Sequence, residues 1–133
     1  MKKPIKTGVW LLLLLGSMHC FSQEKATSSK DLLAARIQLI EGSKKYNPAA
    51  ALVTYRQQAG LGNAEAMNGL GLIYSKGMGV PVNERLGLEW FEKAAQNGYA
   101  KAYSNIALLY QNGVGTAKDE AKALEYYKKS AQA

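Results

Sequence analysis

The sequence contains one cysteine and one histidine among its 133 residues, and both lie within the first 22. If those residues are removed as an export signal, the remaining chain has no thiol and no imidazole. It can then form no internal disulfide, and it offers no zinc ligand, nucleophile or base of the Cys or His type. We therefore predict no catalytic residues, no metal ligands, no cofactor and no enzyme activity, and a fold stabilised by packing alone.

Charge of one sign is also in small excess. The chain has 17 Lys and Arg against 10 Asp and Glu, but Lys2, Lys3 and Lys6 lie in the first 22 residues, which leaves 14 against 10, or +4. This excess is dispersed and forms no basic stripe of the kind that binds nucleic acid. The composition therefore predicts no nucleic-acid partner.

No apolar run near the start of the chain is long enough to cross a bilayer. Val9 to Leu15 is unbroken, whereas a spanning helix takes about 20 residues. A basic start followed by a short apolar run is typical of an export signal. We expect a signal peptide over residues 1–22, cleavage before Gln23, a flexible linker over 23–28, and a periplasmic or secreted product. An alternative is a lipoprotein anchored at Cys20.

The chain repeats itself with a period of 36 residues. Residues 59–94 and 95–130 align without insertion and share 12 identities. These are Ala59/Ala95, Gly62/Gly98, Ala64/Ala100, Ala66/Ala102, Leu72/Leu108, Tyr74/Tyr110, Gly77/Gly113, Gly79/Gly115, Glu84/Glu120, Leu88/Leu124, Glu89/Glu125 and Lys93/Lys129. A period between about 20 and 50 residues indicates stacked units that bury their apolar faces on one another.

The first predicted unit, residues 29–62, is a degenerate helix pair. Its first helix is predicted over 29–42, with one apolar face formed by Leu33, Ile37 and Ile40. Asn47 caps the second helix, and Pro48 occupies a first-turn position where its missing N–H costs nothing. Leu52 lies 36 positions before Leu88, and the loop between the two helices is predicted to be shorter than in the later units.

Two clear units follow, over residues 63–98 and 99–133. Asn63, Asn83 and Asp119 are predicted caps, and Gly77 and Gly113 end helices by adopting the left-handed conformation. The predicted buried stripes are Ala66, Leu70, Ile73 and Tyr74; Leu86, Trp90, Phe91 and Ala94; Ala102, Ile106, Leu109 and Tyr110; and Leu124, Tyr127 and Ala131.

Two glycines, Gly69 and Gly87, lie inside predicted helices, where each costs about 1 kcal/mol relative to alanine. They indicate either a close approach of neighbouring helices or sequence drift.

The stretch AEAMNGLGLIYSKGMGVPVNERLGLEWFEKAAQNG, residues 64–98, resembles the SEL-like repeat (SLR), a branch of the tetratricopeptide-like superfamily. The resemblance covers residues 59–131 closely and 29–58 at the level of helix spacing. It rests on Ala66, Leu70-Gly71, Tyr74, the loop from Gly77 to Val80, and Ala94-Ala95 before Gly98. It implies an all-α, right-handed solenoid of antiparallel helix pairs, whose concave face holds other proteins in signalling and envelope-associated complexes.

The resemblance also has a limit. Some exported members of the family are cysteine-rich and have been linked to penicillin binding or hydrolysis. This chain lacks those cysteines, so an adaptor that binds another protein or peptide is the leading prediction. A penicillin-interacting, beta-lactamase-like hydrolase is the alternative.

If the first helix of each pair faces inward, a ladder of eight residues is predicted to contact the partner, with Asn68 and Lys101 as hydrogen-bond donors and Leu72 and Leu108 as apolar contacts. The eight are Glu65, Asn68, Leu72, Lys76, Lys101, Ser104, Leu108 and Asn112. The alternative is a solvated face without a partner. The apolar side of the last helix is also expected to be exposed, which would allow self-association.

Other charged and aromatic residues have structural explanations. Glu89 and Glu125 each precede a lysine by four positions, Lys93 and Lys129, which is the spacing of surface pairs on a helix. Three aromatic residues are predicted to be core or inter-repeat contacts: Trp90, Tyr126 and Tyr127.

Overall fold

A computed structural model describes residues 29–133, of which Leu32–Ala133 form one compact unit. This part of the chain is all-α and contains no strand, which confirms the predicted fold class. Its six helices are α1 (29–38), α2 (Pro48–Gly60), α3 (Ala64–Lys76), α4 (Glu84–Gln96), α5 (Lys101–Asn112) and α6 (Glu120–Gln132). The predicted signal peptide and linker lie outside the described residues.

Side-chain caps begin four of these helices where the sequence predicts them. In each, a carboxyl or amide oxygen accepts a hydrogen bond from the backbone N–H three residues later, at 2.9–3.1 Å. The capping residues are Asn47, Asn63, Asn83 and Asp119. Because such a bond satisfies one of the unpaired donors of the first turn, each cap is worth about 1 kcal/mol. α5 has Ala100 at its N-cap position and therefore lacks a side-chain cap.

One backbone hydrogen bond recurs in all three helix pairs. The capping residue of the second helix donates its N–H to a carbonyl nine positions earlier, at 2.8–2.9 Å. The bonds are Asn47 N to Gln38 O, Asn83 N to Tyr74 O and Asp119 N to Tyr110 O. Their donors are 36 positions apart, as are their acceptors. α1 and α2 therefore have the same register as the two later pairs.

α1 departs from the prediction in two respects. It ends at residue 38, because Leu39 and Ile40 donate to carbonyls only three positions back and the chain turns away. The loop 39–47 is therefore nine residues, longer than the seven of 77–83, and the predicted shorter loop is wrong. The buried side is also different: Leu32 and Ala35 are buried, whereas Leu33 and Ile40 are exposed. Spacing identified an apolar stripe, but the neighbours of α1 decide which side is covered.

The helices of one pair approach closely at glycine. A Cβ added to Gly87 would lie 2.9 Å from the carbonyl oxygen of Gly71 and 3.0 Å from the backbone N of Ser75. A Cβ at Gly69 would overlap the ring of Tyr55. Of the two explanations for these helical glycines, the structure supports close approach.

The core combines small and aromatic residues, as the repeat predicts. Ala66, Leu70 and Ile73 are fully buried in α3, and Ala102, Ile106, Leu109 and Tyr110 are buried in α5. α6 is the exception. Its buried residue is Ala123, while the predicted stripe of Leu124, Tyr127 and Ala131 is exposed. The Tyr127 hydroxyl donates a hydrogen bond to Gln111 Oε1 on α5 at 2.9 Å, but within the described residues no helix follows α6 to cover the apolar side chains of the stripe.

Candidate interaction groove

An open groove of about 260 Å³ lies where the end of α1 and the loop after α3 meet the exposed side of α3. Its lining includes all four α3 residues of the predicted ladder, joined by residues of α1, α2 and two loops. The lining residues are Arg36, Leu39, Ile40, Tyr55, Glu65, Asn68, Gly69, Leu72, Lys76 and Met78. The groove therefore combines an apolar middle with charged groups at its edges.

An ion pair borders the groove between α1 and α3. Arg36 Nη2 lies 2.6 Å from Glu65 Oε1, and the two side chains are 61% and 42% exposed. Because water screens such a pair, it contributes about 0–1 kcal/mol to stability and can separate at little cost when a ligand arrives. The predicted partner-binding residue Glu65 is thus held by an intramolecular contact that a ligand could replace.

Tyr55 forms part of the groove floor. Burial raises the pKa of its hydroxyl above the ordinary value, although the nearby Arg36 guanidinium partly offsets the effect. The hydroxyl therefore stays protonated at neutral pH and remains a hydrogen-bond donor. Gly69, which has no side chain, allows the Tyr55 ring to pack directly against α3, and both residues line the groove.

Asn68 is not the freely exposed donor that the sequence predicted. Its residue is 8% exposed, and its Oδ1 accepts a hydrogen bond of 2.8 Å from Asn105 Nδ2 on α5. The ladder position lies where α3 and α5 come together, so the amide joins these helices. Asn105 occupies the position equivalent to Gly69, where the Tyr55 ring leaves no room for a side chain.

The four α5 residues of the ladder do not line this groove. Lys101, Ser104 and Asn112 are exposed, and Leu108 is half exposed. Ser104 Oγ lies 2.6 Å from Ser130 Oγ of α6, and Asn112 Nδ2 donates to Leu108 O at 3.0 Å. The structure therefore brings the α3 half of the ladder into a shaped site and leaves the α5 half on an open surface.

Several groove residues were missed by sequence reasoning, although the register contains a signal for two of them. Arg36 and Ile40 lie 36 positions before Leu72 and Lys76, so they are the same ladder positions one unit earlier. Extending the ladder to α1 would have identified both. Met78 and Leu39 lie in loops, where helical periodicity does not apply.

The charged and aromatic residues outside the groove largely serve packing. Lys129 Nζ pairs with Glu125 at 2.6 Å as predicted, and this contact lowers the pKa of Glu125. The predicted Glu89–Lys93 pair is wrong, because Glu89 pairs with Arg85 at 3.4 Å while Lys93 Nζ lies 4.3 Å from the Trp90 ring centre.

Tyr126 stacks on Tyr110 with 5.7 Å between ring centres, as expected for a core contact, whereas Tyr127 is exposed. Within residues 29–133, no group of three or more His, Cys, Asp or Glu side chains could hold a metal ion. No helix in this range is long and apolar enough to cross a membrane.

Comparison with known proteins shows two Sel1 repeats, at residues 64–99 and 100–133. Among solved structures, the chain is similar to a Sel1 repeat protein from Oxalobacter formigenes, with 35% identity, a TM-score of 0.58, and coverage of 62% of this chain and 34% of that one. A protective antigen of uropathogenic Escherichia coli strains with an SLR fold aligns at 24% identity and a TM-score of 0.71, over 86% of this chain and 25% of the antigen. The chain thus spans about a third and a quarter of these two proteins.

Helicobacter pylori cysteine rich protein B is also similar, at 16% identity and a TM-score of 0.64, over 81% of this chain and 86% of that one. An identity this low shows the fold alone, so the hydrolase alternative gains no support. No curated protein sequence matches the chain significantly. The matched repeats cover more than half of the 133 residues, and the chain belongs to the Sel1 repeat family, whose members are typically non-enzymatic scaffolds for protein–protein interaction.

Proposed function

We propose that the chain is an exported adaptor that binds a segment of another protein in the groove between α1 and α3. The observation that supports this most is the placement of Glu65, Asn68, Leu72 and Lys76 along one open groove with an exposed apolar middle. A groove of about 260 Å³ is smaller than the roughly 300–1,000 Å³ of typical small-molecule sites. Side chains of an extended or helical peptide fit it better than a buried cofactor.

The lining specifies the chemistry of the bound segment. Ile40 is 54% exposed and lies with Leu39, Leu72 and Met78 in the apolar part of the groove. An aliphatic side chain inserted there removes apolar surface from water on both partners. Lys76 is exposed and has no ion pair within the described residues. The preferred segment therefore carries an aliphatic residue next to an acidic one.

Selection from a displayed library of random peptides, followed by fluorescence anisotropy with the selected sequences, tests the groove. We expect Ile40→Glu and Lys76→Glu each to weaken binding by about tenfold or more, which corresponds to about 1.4 kcal/mol. Leu108→Glu is the matched control. The exposed fraction of Leu108, 50%, is similar to the 54% of Ile40, but Leu108 does not line the groove. This variant should therefore bind like the original chain.

Equal binding by all three variants would show that the ladder is only a solvated face. Loss of binding in Leu108→Glu alone would move the site to α5. Circular dichroism of each variant checks that helix content is unchanged, which is expected because all three substituted side chains are exposed.

Export is tested separately, by expressing the full sequence in a bacterial host and measuring the mass of the recovered protein. The proposal expects a product that begins at Gln23 and is found in the periplasm or the medium. A lipid-modified product that begins at Cys20 would establish the lipoprotein alternative, and a cytoplasmic product that retains residues 1–22 would refute export.

A further inference from the structure

One apolar stripe recurs on the second helix of every pair. It consists of a leucine, an aromatic residue three positions later and an alanine four positions after that. Its three copies are Leu52, Tyr55 and Ala59; Leu88, Phe91 and Ala95; and Leu124, Tyr127 and Ala131. α2 packs against α3 and α4 packs against α5, and these two copies are largely buried, with Leu88 7% and Tyr55 5% exposed.

The third copy, which we name the α6 stripe, is exposed, although the Tyr127 hydroxyl donates a hydrogen bond to Gln111 Oε1 on α5. Leu124 is 55% and Tyr127 is 38% exposed, and Ala131 is also exposed. Tyr55 of the first copy packs against Gly69 on the first helix of the following pair, whereas Phe91 of the second copy packs against Gly71 within its own pair. The α2–α3 contact is therefore the one that the α6 stripe could repeat. The α6 stripe therefore has the chemistry to accept a helix of that type.

α1 presents the complementary surface. Leu33 is 57% exposed and lies 36 positions before Gly69, the residue of α3 that faces Tyr55 on the preceding helix. Leu33, with the half-buried Ile37 one turn later, is thus on the side of α1 that in α3 packs against a second helix. We name these two residues the α1 face. Ile40 lines the groove and is not part of the α1 face.

We propose that a second copy of this chain docks its α1 face onto the α6 stripe, head to tail, in the manner in which α3 covers α2. Leu33 replaces the Gly69 of the α2–α3 contact, so the two helices lie further apart than α2 and α3, with the leucine side chain between them. The contact joins two different surfaces and leaves one of each unoccupied at the ends. It is therefore heterologous, and repeated docking lengthens the stack.

Sedimentation velocity of the chain, as processed by the cell that expresses it, tests this over a wide concentration range. We expect the average mass to rise with concentration and to pass that of a dimer. Leu33→Glu and Leu124→Glu each place a charge in the contact and should raise the dissociation constant at least about tenfold. Val53→Glu is the matched control: Val53 is 65% exposed, and the equivalent positions already hold Glu89 and Glu125.

Mixing the two variants tests whether the chains associate head to tail. Leu33→Glu retains its α6 stripe and Leu124→Glu retains its α1 face, so each alone should be monomeric while an equimolar mixture forms a complex of two chains and nothing larger. A dimer of Leu33→Glu alone would indicate pairing of α6 with α6 and overturn the proposal. A strictly monomeric original chain, or association weakened equally by Val53→Glu, would also overturn it.

Discussion

Gly87→Ala changes the free energy of unfolding through two opposing effects, and the sign of the measured change shows which effect is larger. Replacing a helical glycine by alanine stabilises a helix by about 1 kcal/mol. The added methyl would meet Gly71 O at 2.9 Å and Ser75 N at 3.0 Å, both backbone atoms that cannot rotate away. Overpacking of this kind costs about 1–3 kcal/mol. We therefore expect a net destabilisation of up to about 2 kcal/mol.

Urea denaturation followed by circular dichroism measures this change directly. The midpoint should fall without a change in slope, because the surface exposed on unfolding is the same. In thermal unfolding, the melting temperature should fall by about 4–8 °C for each kcal/mol lost in a domain of this size.

Gly60→Ala provides the matched control. Gly60 is the last residue of α2, and a Cβ there would have no neighbour within 4 Å. This variant should be stabilised by a few tenths to about 1 kcal/mol, since only the helix propensity changes. If Gly87→Ala were stabilised as much as Gly60→Ala, the close approach of α3 and α4 would be wrong and Gly87 would be sequence drift.

Two further substitutions test the packing of the second clear repeat. Asn105→Ala should destabilise the fold by about 1–3 kcal/mol, because Asn68 Oδ1 loses its donor in a buried position. A double-mutant cycle with Asn68→Ala measures the coupling energy between the two side chains. Additive effects of the two substitutions would contradict a stabilising hydrogen bond between them. Ala102→Leu should cost about 1–3 kcal/mol by overpacking a fully buried position. Ala121→Leu on the exposed side of α6 should change the urea midpoint little, and equal losses in the two leucine variants would contradict the assignment of Ala102 to the core.

Most of the local structure of this protein could be predicted from its sequence. Caps such as Asn83 and helix-ending glycines such as Gly77 act on backbone groups within a few residues of themselves, so their effect could be predicted without knowing what surrounds them. The 36-residue period predicted stacked units, because equivalent side chains recur at equal spacing. The residues at fixed positions within that period, such as Ala66 and Tyr74, carried the resemblance to the family and its all-α fold.

Tertiary structure decided which side of each helix is covered. Leu33 and Leu124 belong to regular apolar stripes, yet both are exposed, because coverage depends on a neighbouring helix and not on spacing. Asn68 was predicted at a ligand surface but is buried, since Asn105 reaches it from the next repeat. The groove likewise forms because Arg36, Ile40 and Met78 come from segments distant in sequence, whose approach only the packed helix pairs determine.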